Sequence, residues 1–414
     1  MDVIQSFCAR ETRRNARGEI RWGDSTRMDL SKDWNQVSCV YLDPPYMTNT
    51  RYILRQRIGE KGWSGNKPYI DLPAYSDRWP DREAYLDLLR GMIGQAIRLL
   101  KDDGALFVHV DTRVDAHVRL LLDEMLGESN FVNQLVWAYQ SGGRAKNHFS
   151  RKHDIIFFYR KSPSLNFDIT RVPLPRNTNR QNHMKRMVDE NGRAYRTIRT
   201  GGKTYIYYDD EPVYPGDVWS DLSHLQQKDP QRTGYDTQKP VSLLTRVMLP
   251  VADTDELVAD LCAGSGTTGI AAAMNGRRFL LVDQSRTAVA VMRRRLLASK
   301  IMFDLEAPVS EEPAQADFAV YPGLGFDDVC LRSFVPPEPW PEGITGLDGV
   351  DQWSVGQLRD GVFHVMADAV RSRMTPKLET ALQVPMNTPD LAALIVDVLG
   401  NRYCYRISQN DPEG

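Results

Sequence analysis

Apolar and polar positions follow two rhythms along this chain. Val37 to Leu42 is a nearly unbroken apolar, β-prone run, the pattern of a buried strand, and it stops at Asp43-Pro44-Pro45-Tyr46. Behind Asp81, a natural N-cap, Tyr85, Leu89, Met92, Ile93, Ala96, Ile97 and Leu100 recur at helical spacing, with Gly104 as the stop. The pattern then predicts a strand from Ala105 to Val110, a helix from Val114 to Leu126, and strands near Phe131 to Ala138 and Asp154 to Tyr159. It resumes with a helix from Val241 to Leu249, a buried strand Leu257 to Asp260, a helix from Gly269 to Asn275, and a strand Phe279 to Val282 ending at Asp283. Upstream, Ile20-Arg21-Trp22-Gly23-Asp24 reads as a further strand running into a loop. Strands alternating with helices predict an α/β fold with a doubly wound sheet.

Three stretches lack this rhythm. Met47 to Pro80 is polar, rich in glycine and aromatics, and long enough to be a functional lid; its Tyr75 and Trp79 either stack on bases or anchor the loop on the core. The stretch around Gly142-Gly143, Pro163, Pro173 and Pro175, with Tyr195, Tyr205, Tyr207 and Tyr208, reads as an irregular or β-rich insertion. Beyond Asp304 a proline-rich linker (Pro336-Pro337, Pro339, Pro341) leads to helical periodicity from Val355 to Val370 and from Pro389 to Leu399. That part reads as a small accessory module.

Charge sharpens this division. The chain has 414 residues and a net charge of −2, but 15 Lys/Arg against 4 Asp/Glu fall between Arg144 and Lys203, and 7 against 18 from Asp304 onward. Basic residues interleaved with aromatics and amides suit phosphate contacts and base-edge readout; a solvated basic face is the plainer alternative. Cys8, Cys39, Cys262, Cys330 and Cys404 are scattered with no CxxC, which points to reduced thiols, a cytoplasmic protein and no metal site. No run of 18 apolar residues suggests a membrane span, the N-terminal residues lack an apolar signal core, and no Walker A motif is present.

Two loops carry candidate chemistry. Pro44 and Pro45 cannot donate to a ladder and stiffen the end of their strand, where open α/β sheets place ligands. Asp43 and the Pro44 carbonyl are two acceptors able to hold both N–H groups of an exocyclic aromatic amine, and Tyr46 can stack on its ring. Taken alone, the motif reads equally as an Asp-Pro-Pro turn. The second loop is Leu261-Cys262-Ala263-Gly264-Ser265-Gly266-Thr267-Thr268, between a strand and a helix, with Gly269 completing a G-x-G-x-x-G spacing. Asp283 stands where an acid binds ribose hydroxyls. Asp260 would repel a pyrophosphate but suits an α-ammonium, so the pair favours S-adenosyl-L-methionine over a dinucleotide. Asp24 is either a turn residue or a ligand.

With both motifs in view, residues 20 to 300 resemble the β-group of amino-DNA methyltransferases, particularly the adenine-specific modification subunits of type III restriction systems. The order matches: Asp43-Pro44-Pro45-Tyr46, then the basic insertion, then Asp260 to Thr268. The resemblance implies a Rossmann-like sheet with a catalytic half at 1–160, a target-recognition insertion at 161–235, a cofactor-binding half at 236–303, and an acidic C-terminal accessory domain at 304–414. It assigns catalysis to Asp43, Pro44, Pro45 and Tyr46. Cofactor binding falls to Asp24, to Lys239 and Pro240 of Thr237-Gln238-Lys239-Pro240, to Asp260, to the loop Cys262, Ala263, Gly264, Ser265, Gly266, Thr267 and Thr268, and to Asp283. His153-Asp154 also matches the family pattern. Cys262 departs from the usual phenylalanine and Asp283 from the commoner glutamate.

The function this implies is methyl transfer from S-adenosyl-L-methionine to N6 of an adenine flipped out of double-stranded DNA, without metal. A free aspartate is too weak a base to deprotonate a neutral aromatic amine, so polarisation comes first and proton loss follows transfer. A homodimer and a separate restriction nuclease are the partners the resemblance allows. Alternatives are cytosine-N4 methylation, for which serine is commoner at the Asp43 position, glutamine methylation in proteins, a non-catalytic DNA-binding subunit, and a nicotinamide-dependent dehydrogenase.

Overall fold

In the computed structural model, which describes residues 3–139, 145–176 and 185–408, Val37–Leu42 lies near the middle of a large sheet with every residue buried. Gly142-Gly143 and Arg144 fall outside the described residues. Parallel neighbours run from Asp304–Glu306 through Gly18–Trp22, Arg278–Asp283, Leu257–Asp260 and Val37–Leu42 to Leu100–Val110. His153–Arg160 and Phe131–Ala138 continue the sheet antiparallel. Strands buried on both faces need no polar alternation, which is why their apolar runs are continuous. Helices Arg82–Leu99 and Asp115–Leu126 cover one face. Val241–Met248, Thr267–Met274 and Arg286–Ala298 cover the other. Asp81 caps the first of these helices, its carboxylate accepting the Ala84 N–H at 2.9 Å.

Four adjacent parallel strands thus deliver acids side by side at their carboxyl ends: Asp24, Asp283, Asp260 and Asp43, in spatial order. This alignment sets up the site.

Several expectations are corrected. Gly104 does not stop a helix; the helix ends at Leu99, Leu100 is already extended, and Gly104 lies inside the strand. The expected lid loop is instead an antiparallel hairpin of Arg51–Arg57 and Tyr69–Ser76, bridged by the short helix Gly59–Trp63. The basic segment contains the expected β-structure, a three-stranded sheet of Arg186–Val188, Ala194–Thr200 and Lys203–Tyr208 that exposes Ile198, Tyr205, Ile206 and Tyr207. Some of its cations are paired nearby, Arg186 with Asp209 at 2.9 Å and Arg193 with Asp210 at 2.8 Å.

The C-terminal part departs most. Both segments expected to be helical are strands: Val350–Arg359 and Val362–Val370 form a hairpin, and Leu391–Asp397 is a fully buried strand. Asp360-Gly361 is the hairpin turn, both residues at positive φ (49° and 72°), the backbone that an Asp-Gly pair favours. A short apolar run cannot be assigned to helix or strand by spacing alone. These strands and Arg402–Ile407 extend the main sheet, and Val3–Gln5 and Arg10–Thr12 from the chain's start pair into the same region. A second sheet, Gln315–Pro322, Phe326–Val335 and Ala381–Pro385, packs over them through Phe318, Leu331, Phe334, Trp353 and Tyr405. The change of composition at residue 304 is therefore crossed by the sheet.

Glu11 ties the two regions together. Fully buried, it accepts from Arg402 at 2.6 Å, from Arg13 at 3.0 Å and from Arg293 at 3.1 Å, the last on a helix of the doubly wound layer. Those guanidiniums hold its carboxyl far below the ordinary range despite burial that opposes this. Glu11→Gln removes the shared anion and leaves three buried guanidiniums with Asp368 alone among them, Arg402 losing its carboxylate altogether. It is expected to destabilise the protein by about 3–5 kcal/mol, measured as a lowered midpoint of thermal unfolding.

Candidate active site

The strand ends open into one cavity of about 860 Å³. At one end it is lined by Asp24, Asp260, Ala263, Gly264 and Asp283, at the other by Trp137, Tyr139, Asp154 and His224, with Asp43, Tyr46 and Lys239 between them. Of the residues that the resemblance assigns to catalysis or cofactor binding, Pro240 and Gly266 do not line it. Pro240 begins the helix Val241–Met248, and Gly266 is the left-handed turn (φ 74°) that starts Thr267–Met274.

The glycine loop is shaped by the two acids that flank it. Asp260 is buried, one oxygen accepting the Cys262 N–H at 3.1 Å and the other the Thr268 hydroxyl at 2.5 Å. Asp283 accepts the Gly264 N–H and the Ser285 N–H, both at 2.8 Å. A side chain on Gly264 (φ 51°) would stand 3.3 Å from the Tyr235 ring, and one on Gly266 would meet Met292 at 2.7 Å. Glycine is required at both positions. Burial pushes Asp260 up to about 7 and Asp283 up to about 6. Two such carboxyls facing a cavity favour a ligand that brings an ammonium and hydroxyl donors. Asp24 is occupied as a turn residue, its carboxylate accepting the Thr26 N–H at 3.0 Å and hydroxyl at 2.7 Å, while still lining the cavity.

Asp43 sits where three segments converge. Its N–H donates to the Cys262 sulfur at 3.2 Å, its carboxylate accepts the Tyr46 hydroxyl, and Lys239 reaches it at 2.5 Å. Burial and the neighbouring Asp43 charge raise the Tyr46 phenol well above its ordinary value, so it remains a donor. The turn after Pro45 is held from below by Asp77, which the sequence reading passed over. This buried carboxylate accepts the N–H groups of Tyr46, Met47 and Thr48 at 3.1, 2.9 and 2.8 Å, the Thr48 hydroxyl at 2.7 Å and the Trp79 indole at 2.9 Å. Met47 consequently adopts φ 58°. Trp79 and Tyr75 are anchored, Trp79 by its bond to Asp77 and Tyr75 by stacking on Tyr52 with ring centroids 4.8 Å apart, and both also line the cavity. His109, also missed, links Tyr41 at 2.6 Å to Asp154 at 3.2 Å, and Asp154 accepts from Tyr139 at 3.0 Å. Neither Asp77 nor His109 lies in a recognisable motif; only the turn geometry reveals the first and strand adjacency the second.

The sequence pattern of the DNA methylase family matches residues 37–294, more than half of the chain. The chain belongs to this family. Its members are N6/N4 amino-group methyltransferases whose cofactor is S-adenosyl-L-methionine. The chain is similar to the type II methyltransferase M.EcaI of Enterobacter cloacae, 22% identical over 323 residues, 66% of this chain and 68% of that one. It is 24% identical over 262 residues to the DNA adenine methyltransferase YhdJ of Escherichia coli (strain K12), covering 63% of this chain and 76% of that one. The EcoPI Mod subunit of a type III restriction-modification enzyme from Escherichia phage P1 is 26% identical over 211 residues, 44% of this chain but only 33% of that one. Among the described residues of the methylase, no helix is long and apolar enough to cross a membrane, and no group of three or more His, Cys, Asp or Glu is placed to hold a metal ion.

The residues present fit the cofactor: an acid for its ammonium, an acid for its hydroxyls, a lysine for its carboxylate, and a glycine turn that leaves room for it. Asp77→Ala deletes the acceptor of several charge-assisted hydrogen bonds and is expected to cost about 2–3 kcal/mol, with methyl transfer falling more than cofactor binding; thermal unfolding and cofactor titration measure the two.

A pH dependence follows from the raised carboxyls. Their folded values lie above the ordinary value of about 4, so the folded protein binds these protons more tightly than the unfolded chain. Their contribution therefore weighs increasingly against folding as pH rises from about 4 to about 7, and is level above that. A ligand ammonium beside Asp260 favours its ionised form. S-adenosyl-L-methionine affinity is expected to peak between about pH 7 and 8, to weaken below that, approaching about tenfold per pH unit, and to weaken again above about 8 as the ligand's own α-ammonium loses its proton, as calorimetry can show.

Proposed function

We propose that this protein methylates N6 of adenine in double-stranded DNA, with the target base turned out of the helix into the cavity beside Tyr46. The observation that carries this reading is the continuity of the cavity. The acids and glycine loop suited to the methyl donor and the Asp43-Pro44-Pro45-Tyr46 loop suited to an aromatic amine share one space, and the Asp43 N–H donates to the Cys262 sulfur where the two loops meet. Aspartate at the head of the motif favours adenine over cytosine. The exposed aromatics and cations of the sheet from Arg186 to Tyr208 support contact with the duplex, a nucleic-acid partner rather than a protein one.

S-adenosyl-L-methionine, when bound, supplies an electrophilic methyl group. Asp260 accepts its ammonium, Asp283 its ribose hydroxyls, and Lys239 pairs with its carboxylate. Asp43 and the Pro44 carbonyl accept the two amine N–H groups, which draws the nitrogen lone pair out of conjugation and holds it toward the methyl carbon. The Tyr46 ring packs against the base. Asp43, beside the nitrogen that has become cationic, accepts the proton released after transfer. Positioning and electrostatics supply the catalysis, and the cost of extruding the base, roughly a few kcal/mol, is offset by the pocket.

The reading is tested by nucleoside mass spectrometry of unmethylated duplex DNA incubated with the protein and S-adenosyl-L-methionine. N6-methyladenine is expected; N4-methylcytosine would retain the mechanism and overturn the base. Asp43→Ala is expected to abolish turnover while cofactor binding is retained, and near-normal turnover in this variant would refute the assignment of Asp43.

A further inference from the structure

Both oxygens of the carboxylate meant to receive an amine already accept a hydrogen bond. One oxygen of Asp43 accepts the Tyr46 hydroxyl; the other accepts the Lys239 ammonium at 2.5 Å, and the same ammonium lies 3.0 Å from the Tyr46 hydroxyl. The pair is largely withdrawn from water, with side-chain exposures of 10% for Lys239 and 17% for Asp43. Its attraction is therefore stronger than that of a surface ion pair. An ammonium has only donors, as does each N–H of the target amine. The two compete for the same acceptor.

The backbone of Lys239 belongs to the other side of the cavity. Its carbonyl accepts the Thr267 hydroxyl of the glycine loop at 3.1 Å, and Arg295 donates to that same hydroxyl oxygen at 2.8 Å. One residue thus spans from the cofactor loop to the substrate carboxylate. Removing its ammonium from Asp43 without a replacement would leave two buried charges unpaired, which is costly. An anion arriving on the cofactor side removes half of that cost.

We propose that Lys239 exchanges partners: the α-carboxylate of the bound cofactor takes its ammonium, and this frees Asp43 to accept the target amine. Lys239 is then a positioning residue that places cofactor binding ahead of amine capture. The inference rests on S-adenosyl-L-methionine being the cofactor. No covalent bond is made or broken in the exchange: Lys239 pairs with the carboxylate and Asp260 with the ammonium, while Asp43 keeps the Tyr46 hydroxyl and gains the amine N–H in place of Lys239.

The test needs no DNA and no turnover. S-adenosylhomocysteine, which keeps the amino-acid end, and methylthioadenosine, which lacks it, are titrated calorimetrically at one pH into the wild type, Asp43→Asn, Lys239→Met and the double variant. Asp43→Asn leaves Lys239 unpaired beforehand, so it is expected to bind S-adenosylhomocysteine more tightly, by about tenfold for an ion pair worth about 1.4 kcal/mol, with methylthioadenosine unchanged. Lys239→Met is expected to weaken S-adenosylhomocysteine and to erase the gain from Asp43→Asn. Lys239→Arg, which keeps the charge, is expected to retain it and guards against a merely misfolded methionine variant. Unchanged or weaker binding of S-adenosylhomocysteine by Asp43→Asn overturns the exchange, as does an equal gain for methylthioadenosine. If the wild type binds neither ligand, the cofactor assignment falls as well; if it binds S-adenosylhomocysteine with no gain in Asp43→Asn, only the exchange does.

Discussion

The Asp43 carboxylate is the point on which the rest of the site depends. It stands at the end of a central strand buried on both faces, held by two prolines that forbid the ladder from continuing. Tyr46 from its own turn and Lys239 from the segment before Val241–Met248 donate to it, while the backbone N–H of Asp43 donates to the Cys262 sulfur of the glycine loop. A group of one charge facing donors from separate segments fixes where those segments lie relative to each other. Shifting it would move the glycine loop and the Asp43-Pro44-Pro45-Tyr46 loop together.

The flanking acids show how one residue can stabilise a loop and still face a cavity. Asp260 and Asp283 hold Cys262, Gly264, Thr268 and Ser285 in place, yet both face the cavity. Burial keeps their protons on to higher pH than usual, so the ionised forms are most favoured when a cationic or hydroxylic ligand compensates them. The departure from phenylalanine at Cys262 also acquires a physical content. Its sulfur accepts the Asp43 N–H, a bond that a phenylalanine ring edge cannot reproduce.

The acidic C-terminal part is joined to the doubly wound layer by polar burial as much as by strand pairing. Glu11, Arg13, Arg293, Arg402 and Asp368 come from the chain's start, a helix of the doubly wound layer and the last strands, and they neutralise one another out of water. Arg294 adds a second tie, donating to Gln56 of the hairpin at 2.8 Å and to Asp351 at 3.0 Å. The hairpin in place of a loose lid is thereby held against the C-terminal strands.

The sequence by itself determined the doubly wound layer, the two loops that line the cavity and their order, because each rests on local facts. Continuous apolar runs mark strands buried on two faces, prolines end one of them, and glycines with positive φ open the other loop. It also contained the Asp360-Gly361 turn, although helical spacing over Val355 to Val370 obscured it. Only the tertiary structure decided that those segments are strands, since a short apolar run takes whichever form its neighbours can pair with. It alone revealed Asp77 beneath the Asp43-Pro44-Pro45-Tyr46 turn, His109 between Tyr41 and Asp154, and Lys239 on Asp43. Lys239 and Asp43 are far apart in the chain, and a carboxylate's partner is chosen by distance in space, which no spacing along the sequence encodes.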